Sequence, residues 1–528
     1  MMHAVTNQPP PLIDYDAAAI DTPLQDVLAP AAIKLGELGR LVGDPQVQRW
    51  AVEANTSTPV LRTHDRYGHR IDEVDFHPSW HALLDVAVSH GLQGAPWVSA
   101  DPRAHLRRAA GFYVWSQAEA GHGCPISMSY AAIPALRNRA ELAAVYEAGL
   151  TSTSYQPGLS DPVAKTGLLA GMAMTEKQGG SDVRANTTRA RPNADGSYRL
   201  DGHKWFCSAP MSDVFLVLAQ LDEGLSCFLV PRVLPDGRRN PFALQRLKDK
   251  LGNRSNASSE VEFTDTVGWL IGAAGRGVPT IIEMVSMTRL DCVIGAAAGQ
   301  RAALVQAIHH ARHRSTFGSV LIDAPLMRSV LADLAIEVEA ATALMLRLAR
   351  AVDDGEKALL RLALAASKFW VCKRSPTVVG EALECLGGNG YVEESGLPRL
   401  LRESPLNSIW EGSGNVMCLD VLRALSRDQD SAAAVFAELD SVAGSDVGLD
   451  ASVARLRQEV TEAQPASARR VASSLALCLQ GAQLVRTAPA AVADAFCATR
   501  LAGDWGHVLG TVPSSVDTRL LLERAFAG

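Results

Sequence analysis

Apolar residues recur at three- and four-residue spacing through 80–89 and 106–118, the period of a helix with one buried face. The same period dominates from about 24 to 149, so an N-terminal helical region is expected. A stretch rich in Pro, Gly, Ser and Thr, 151–165, closes it. Between 168 and 271 the pattern changes to short strand-like runs at 198–200, 214–220, 225–230, 242–247 and 261–263, with turn-forming segments at 193–196, 234–237 and 252–255. Strands at even spacing with no helices between them predict a small antiparallel sandwich or barrel and argue against a Rossmann sheet. Past Arg276 the helical period returns in long Ala- and Leu-rich segments, 278–313, 325–354, 356–373 and 377–386. Their short connections predict an up-and-down bundle. A final Ala-rich stretch, 429–528, is helical in pattern but interrupted by Pro465, Pro489 and Pro513.

The expected fold class is therefore α+β in four parts: an N-terminal helical domain (1–165), a middle antiparallel β-domain (166–272), a helical bundle (273–426) and an appended helical domain (427–528). A chain of 528 residues is too long for one core, which suits such a division.

Composition narrows the function classes. The formal net charge is -7 and charged residues make up 20% of the chain, so no overall basic field favours nucleic acid or an anionic membrane. The nine cysteines are scattered, without a C-x-x-C pair or a Cys/His cluster at zinc spacing, which predicts reduced, buried thiols and no metal site. Asn7-Gln8-Pro9-Pro10-Pro11 would break a signal helix, and no apolar window reaches membrane-spanning length. A cytoplasmic protein is the expectation.

Five segments carry candidate chemistry. Thr175-Glu176-Lys177-Gln178-Gly179-Gly180-Ser181-Asp182 follows an apolar run and offers hydroxyls and bare backbone to a polar ligand edge. Trp205-Phe206-Cys207-Ser208 ends a strand with a ring that could stack on a heterocycle and a hydroxyl that could reach a ring heteroatom. Arg314-Ser315-Thr316-Phe317-Gly318 places a cation and an aromatic ring on a loop after a helix, as diphosphate recognition would use. Glu384-Cys385-Leu386-Gly387-Gly388-Asn389-Gly390-Tyr391 is a Gly-rich helix end, for which a plain C-cap is the alternative. Ile409-Trp410-Glu411-Gly412-Ser413-Gly414-Asn415 sets a carboxylate between apolar neighbours and a permissive Gly-x-Gly loop; apolar surroundings raise a carboxyl's pKa, as a base for a carbon-bound proton needs. A helix-start acid is the plainer reading of Glu411 alone.

Taken in order, these segments resemble the acyl-CoA dehydrogenase family, and within it the AidB-like branch, over nearly the whole chain. The branch rests on the Lys177-Gln178 pair, where typical members have Pro after the Glu, and on Asn7-Gln8-Pro9, Phe76-His77-Pro78, 247–258 and 407–422. The resemblance implies a homotetramer with one FAD per subunit. Met172, Met174, Thr175, Gly180, Ser181 and Cys207 would contact the flavin, Phe206 would lie against its ring, and Ser208 would lie near N5. Arg314, Phe317, Gly387, Gly388 and Gly390 would hold the ADP part of a neighbouring subunit's FAD. Trp410, Gly412, Ser413 and Asn415 would complete the flavin site.

The resemblance makes Glu411 the catalytic base and Arg289 the residue that orients it. Some members carry their base one residue before that arginine; Thr288 stands there and cannot serve. Glu384 departs from the Gln that the family often has at this point. An acyl-CoA substrate and an electron-accepting flavoprotein are the implied partners. The branch also implies double-stranded DNA in an alkylation response, but 425–528 holds nine Arg, no Lys and twelve Asp plus Glu, a net -3 that disfavours it. A basic face gathering Arg455, Arg457, Arg469, Arg470 and Arg486 would be the way around that balance.

Overall fold

The computed structural model describes residues 3–527. The chain divides into two compact units, one built from 46–104 and 119–288, the other from 1–45, 105–118 and 289–528.

The first unit holds the β-domain. Its strands are β1 (Val60–His64), β2 (Arg70–Asp75), β3 (Ala170–Ala173), β4 (Arg189–Pro192), β5 (Tyr198–Ser208), β6 (Val214–Leu221), β7 (Gly224–Pro231), β8 (Phe242–Leu247) and β9 (Ser258–Ile271). Pairing runs β6–β4–β5–β9–β7 and returns to β6, with β3 on the outer side of β6 and β8 against β9. That ring closes the sheet into a barrel-like body and removes most of its open edges. The antiparallel expectation holds for β5 to β9, whereas β3 and β4 lie parallel to β6. β6 is buried over its first six residues, which is why it reads as a continuous apolar run rather than an alternating one. Its Phe215 packs on Phe242 with ring centroids 4.9 Å apart, and Phe242 meets Phe263 edge-on at 5.3 Å. These rings centre the core cluster that also takes in Cys207, Phe228 and Val261.

The β1–β2 hairpin is an element that the helical pattern of the N-terminal region concealed. Arg62, His64, Arg70 and Asp72 interrupt its alternation, and neither face of β1 is fully buried, so no period-2 apolar signal survives.

The second unit is helical. Helices Pro325–Asp353, Lys357–Cys385, Gly414–Arg427 and Ala468–Thr487 pack together, and the division from the first unit falls inside the long helix Gly277–His313. Lys357–Cys385 is one helix, where the sequence suggested two segments separated before Thr377. Pro376 sits inside it; Val378, Val379 and Ala382 beyond it are buried, and that packing outweighs the lost backbone bond. The C-terminal helices are tied to the bundle by buried ion pairs. Arg500 bonds Asp333 and reaches Glu337 at 3.0 Å, and Arg524 reaches Glu339 at 2.7 Å. All nine cysteines are buried.

Candidate functional site

In the β-unit the Thr175–Asp182 stretch follows directly on β3, and what fixes it is a residue whose role its sequence did not suggest. Glu176 is fully buried and meets the ammonium of Lys204, also buried, at 2.8 Å. It also accepts from the Thr187 N–H at 2.6 Å, the Thr187 hydroxyl at 2.9 Å and the Thr188 N–H at 3.1 Å. Burial pushes this carboxyl up, but Lys204 and those donors outweigh it and hold the group at about 2. The loop is further tied by Asn186, which donates to the Met174 carbonyl, and by the Trp205 N–H, which donates to the Thr175 carbonyl at 2.8 Å.

With Glu176 sunk into the barrel, the rest of the loop faces outward. Gly180 and Ser181 are exposed, and Met172, Met174 and Thr175 are half-buried. A Cβ on Gly180 would lie 2.5 Å from Thr175 Oγ1, so glycine keeps that hydroxyl accessible. The Trp205–Thr175 bond joins this loop to the end of β5. There Phe206 is 49% exposed and Ser208 shares a 3.0 Å hydrogen bond with the Ser258 hydroxyl. Lys248 lies 4.8 Å from the Phe206 ring centre and 3.3 Å from that of Trp205. An open ring, a hydroxyl two residues on and a glycine loop bonded to the same strand suit a planar, polar-edged group. Cys207 points the other way, into the core, where burial pushes its thiol up to about 12. Only its backbone is placed to meet a ligand.

In the helical unit the Trp410–Gly412 loop is held by two buried cations. Lys368 Nζ donates to the carbonyls of Trp410 at 2.7 Å and Gly412 at 2.5 Å; Arg289 Nε donates to the carbonyl between them, that of Glu411, at 3.0 Å. Arg289 is anchored in turn on Asp420 at 3.0 Å, which also meets Arg361 at 2.9 Å. Three consecutive carbonyls pointing at cations force an unusual backbone. Glu411 has φ +57 and Gly412 φ +107, the first a conformation that costs a side-chain-bearing residue roughly 1 kcal/mol. A Cβ on Gly412 would stand 2.4 Å from Met417 Cε. Arg289 thus meets Glu411 at its main chain. Cys292 shares this neighbourhood: burial pushes its thiol well up, Lys368 pulls it down, and the Glu411 carboxylate adds to the rise.

Lys368 and Asp420 were not picked out by motif. A lone Lys inside Ala365-Ala366-Ser367-Lys368-Phe369-Trp370-Val371 is the signal that could have found the first, since a charge in an apolar helical run needs a buried partner. Thr288 is buried and its hydroxyl donates to the Val285 carbonyl.

The two other motifs are turn devices whose surfaces stay open. Ser315–Thr316 and Ser319–Val320 form a two-residue hairpin with φ +50 at Phe317 and +83 at Gly318, the pair of left-handed residues that such a turn requires. Phe317 stands fully exposed at its tip. Gly387, at φ +58, caps the helix Lys357–Cys385, and a Cβ on Gly390 would lie 2.1 Å from the Leu383 carbonyl oxygen. Gly388 has open space where a side chain would be. The N-terminal segment bridges both turns: Asn7 exchanges bonds of 2.7 and 2.8 Å with the Ser315 backbone and accepts from Arg314 at 2.5 Å, while Gln8 accepts from Asn389 at 2.9 Å.

The C-terminal arginines do not gather as a free basic face. Arg457 pairs with Asp440 at 2.6 Å, Arg470 with Glu459 at 2.8 Å, and Arg486 with Glu438. Arg455 donates to Ser452 and to the Leu501 carbonyl. Arg469 donates to Asn415 Oδ1 at 2.8 Å, which ties the loop after Glu411 to the C-terminal helices.

Comparison with known proteins agrees with this geometry. Residues 7–157 match the "Adaptive response protein AidB N-terminal domain", 171–266 the "Acyl-CoA dehydrogenase, middle domain" and 275–426 the "Acyl-CoA dehydrogenase, C-terminal domain". AidB of Escherichia coli (strain K12) is 46% identical over 94% of this chain and 94% of its own length. The acyl-CoA dehydrogenase family member 11 of Caenorhabditis elegans is 28% identical over 79% of this chain and 70% of its own. Among solved structures, the apo form of Bd2924 superposes with a TM-score of 0.83 at 30% identity, covering 94% of this chain and 100% of that one. ACDH-11 of Caenorhabditis elegans in complex with C11-CoA shares the fold, with a TM-score of 0.85 at 24% identity over 99% of this chain and 93% of that one. The chain belongs to the acyl-CoA dehydrogenase family, in its AidB branch.

Proposed function

We propose that the protein is an FAD-dependent acyl-CoA dehydrogenase in which Glu411 removes the α-proton of an acyl thioester. FAD is the cofactor of this family, and when bound it supplies the acceptor for the hydride that leaves the β-carbon. The observation that carries the role of Glu411 is the clamp on its loop. Buried Lys368 and Arg289 hold the carbonyls on both sides of the Glu411 Cα and the one after them, so the carboxylate is presented from a backbone that cannot relax to an ordinary φ. A base fixed in this way gives its carboxylate one approach to a carbon-bound proton.

For the cofactor we propose that Met172, Met174, Thr175, Gly180, Ser181, Phe206 and Ser208 meet the flavin, with Trp410, Gly412, Ser413 and Asn415. Arg314, Phe317 and Gly387, Gly388 and Gly390 would take the ADP part from a second copy in a homotetramer. The open faces of Phe317 and Gly388 support that reading. Reducing equivalents would pass to a flavoprotein partner in the cytoplasm. Duplex binding in an alkylation response is the weaker reading, because the arginines that would carry it are spent on Asp440, Glu459 and Glu438.

The test is anaerobic addition of straight-chain and branched acyl-CoA thioesters to the FAD-loaded protein. Bleaching of the oxidised flavin absorbance with at least one thioester is expected, and Glu411→Gln should abolish it while keeping the bound FAD. A protein that binds FAD yet bleaches with none of them would overturn the assignment.

A further inference from the structure

Asp420 lies on the buried face of the helix Gly414–Arg427, beside Met417, Val421 and Ala424. A carboxylate on an apolar face needs partners that offset its lost hydration. Among the described residues it meets three arginines: Arg289 at 3.0 Å, Arg361 at 2.9 Å and Arg423 at 3.3 Å. Their settings differ. The Arg289 side chain is 11% exposed, against 37% for Arg361 and 59% for Arg423. Solvent screens the outer two, so the guanidinium that depends on Asp420 is that of Arg289.

This dependence decides where the Arg289 charge is held. Arg289 Nε donates to the Glu411 carbonyl at 3.0 Å, and Nη2 lies 3.6 Å from where a Cβ on Gly412 would stand, so the guanidinium runs along the Glu411-Gly412 backbone. Its ion pair is with Asp420 and not with the Glu411 carboxylate. Without Asp420, Arg289 would be a buried charge with no counter-ion. The anion nearest to hand would then be the side chain of the residue whose carbonyl it already bonds. The other ionisable groups around the loop offer no substitute. Lys368 donates to the Trp410 and Gly412 carbonyls, Lys373 borders Gly414, and Arg469 bonds Asn415. All three are cations, and burial pushes the Cys292 thiol well up, which keeps it neutral.

We propose that Asp420 is a positioning residue: as the counter-ion of Arg289 it keeps that guanidinium on the Glu411 main chain and off the Glu411 carboxylate. An arginine paired directly with a carboxylate lowers its pKa by about one to three units and so weakens it as a base. With Asp420 in place, Arg289 fixes the loop without that loss. This role rests on Glu411 as the base of the proposed dehydrogenation.

The experiment uses the full-length, FAD-loaded protein and a thioester that the wild type oxidises, with the rate of anaerobic flavin bleaching followed from pH 5 to 9. The rate falls as the base is protonated, so the midpoint of the acid limb reads the base. Asp420→Asn keeps an acceptor oxygen but removes the charge. Its midpoint should move about one pH unit or more to lower pH, and its plateau rate should fall about three- to tenfold. The double variant Arg289→Gln/Asp420→Asn removes both charges and should recover more than half of the midpoint shift. An unmoved midpoint in Asp420→Asn would overturn the proposal, as would a shift that persists whole in the double variant. If the single variant does not fold, the double variant should, because it leaves no buried charge unpaired; failure of both would make Asp420 a fold residue and equally overturn it. A crystal structure of Asp420→Asn, which needs no turnover, should show Arg289 on the Glu411 carboxylate, and a guanidinium that stays on the carbonyl alone would count against the proposal. If the wild type bleaches with no thioester, the dehydrogenase reading falls, and that structure still decides the role of Asp420.

Discussion

At the scale of single residues, buried charges hold the loops that carry the candidate site residues. Lys368 is almost fully buried on a helix and spends its ammonium on the carbonyls of Trp410 and Gly412. Replacing it with Met would leave both acceptors without that donor and release the left-handed Glu411. The expected result is a fall in kcat of roughly ten- to a hundredfold with FAD content retained, measured as the rate of flavin bleaching by a thioester that the wild type accepts. A variant that bleaches at the wild-type rate would remove the clamp from the mechanism. Glu176 makes the same point in the other unit. It stands in the motif whose hydroxyls and glycines suggest a ligand contact, yet its own carboxylate is buried against Lys204 and holds the loop. Glu176→Gln should therefore lower stability first, by an amount on the order of 3 kcal/mol, seen as a lowered denaturation midpoint.

At the scale of elements, short turns and one terminal segment carry what the helices and strands cannot. The Phe317-Gly318 hairpin needs two left-handed residues and holds an aromatic ring in solvent. Asn7 grips its base by two bonds to Ser315 and a third from Arg314. If Arg314 binds the ADP part of FAD, Asn7→Ala should weaken FAD affinity by about tenfold, read from the flavin-to-protein absorbance ratio after dialysis, with the far-ultraviolet spectrum unchanged. Unaltered FAD retention would confine Asn7 to a packing role. The turn at Gly390 is stricter, because the Leu383 carbonyl occupies the place of a Cβ. Gly390→Ala should loosen the end of the helix Lys357–Cys385, visible as faster amide exchange around Leu383.

At the scale of the whole molecule, buried carboxylates link the fold to pH. Glu119, Glu176 and Glu438 are each lowered from 4.5 to about 2. In every case burial opposes the shift; His122 leads the opposite pull on Glu119, Lys204 on Glu176, and Arg347 with Arg486 on Glu438. Because the folded-state values lie below the unfolded one, the stability they contribute is complete above about pH 4.5 and is lost as pH falls toward about 2. Thermal unfolding followed from pH 7 to 3 should show a melting temperature that holds down to about 4.5 and then drops. Glu176→Gln should flatten that drop, and an equally steep one would count against the buried pair as its source. Assembly belongs to the same scale: if Phe317 and Tyr391, both exposed in one copy, lie in the interface of the proposed tetramer, Phe317→Asp should shift sedimentation toward smaller species.

The sequence by itself determined the order of helical and strand regions, because periods of 3.6 and 2 are local properties of the chain. It also determined the family, because the motifs at 175–182, 205–208, 314–318, 384–391 and 409–415 stand in one fixed order. The β1–β2 hairpin escaped, since polar residues on both of its faces leave no period to read, and so did the continuity of the helix across Pro376, which packing enforces against local preference. Only the tertiary structure decided what each charged residue does. Whether Glu176 is exposed or bonded to Lys204, whether Arg469 is free or bonded to Asn415, and that Lys368 joins Arg289 in holding the Glu411 loop are all settled by partners 28 to 122 positions away. Electrostatic and hydrogen-bonded roles are fixed by distance in space, and a linear pattern carries distance only along the chain.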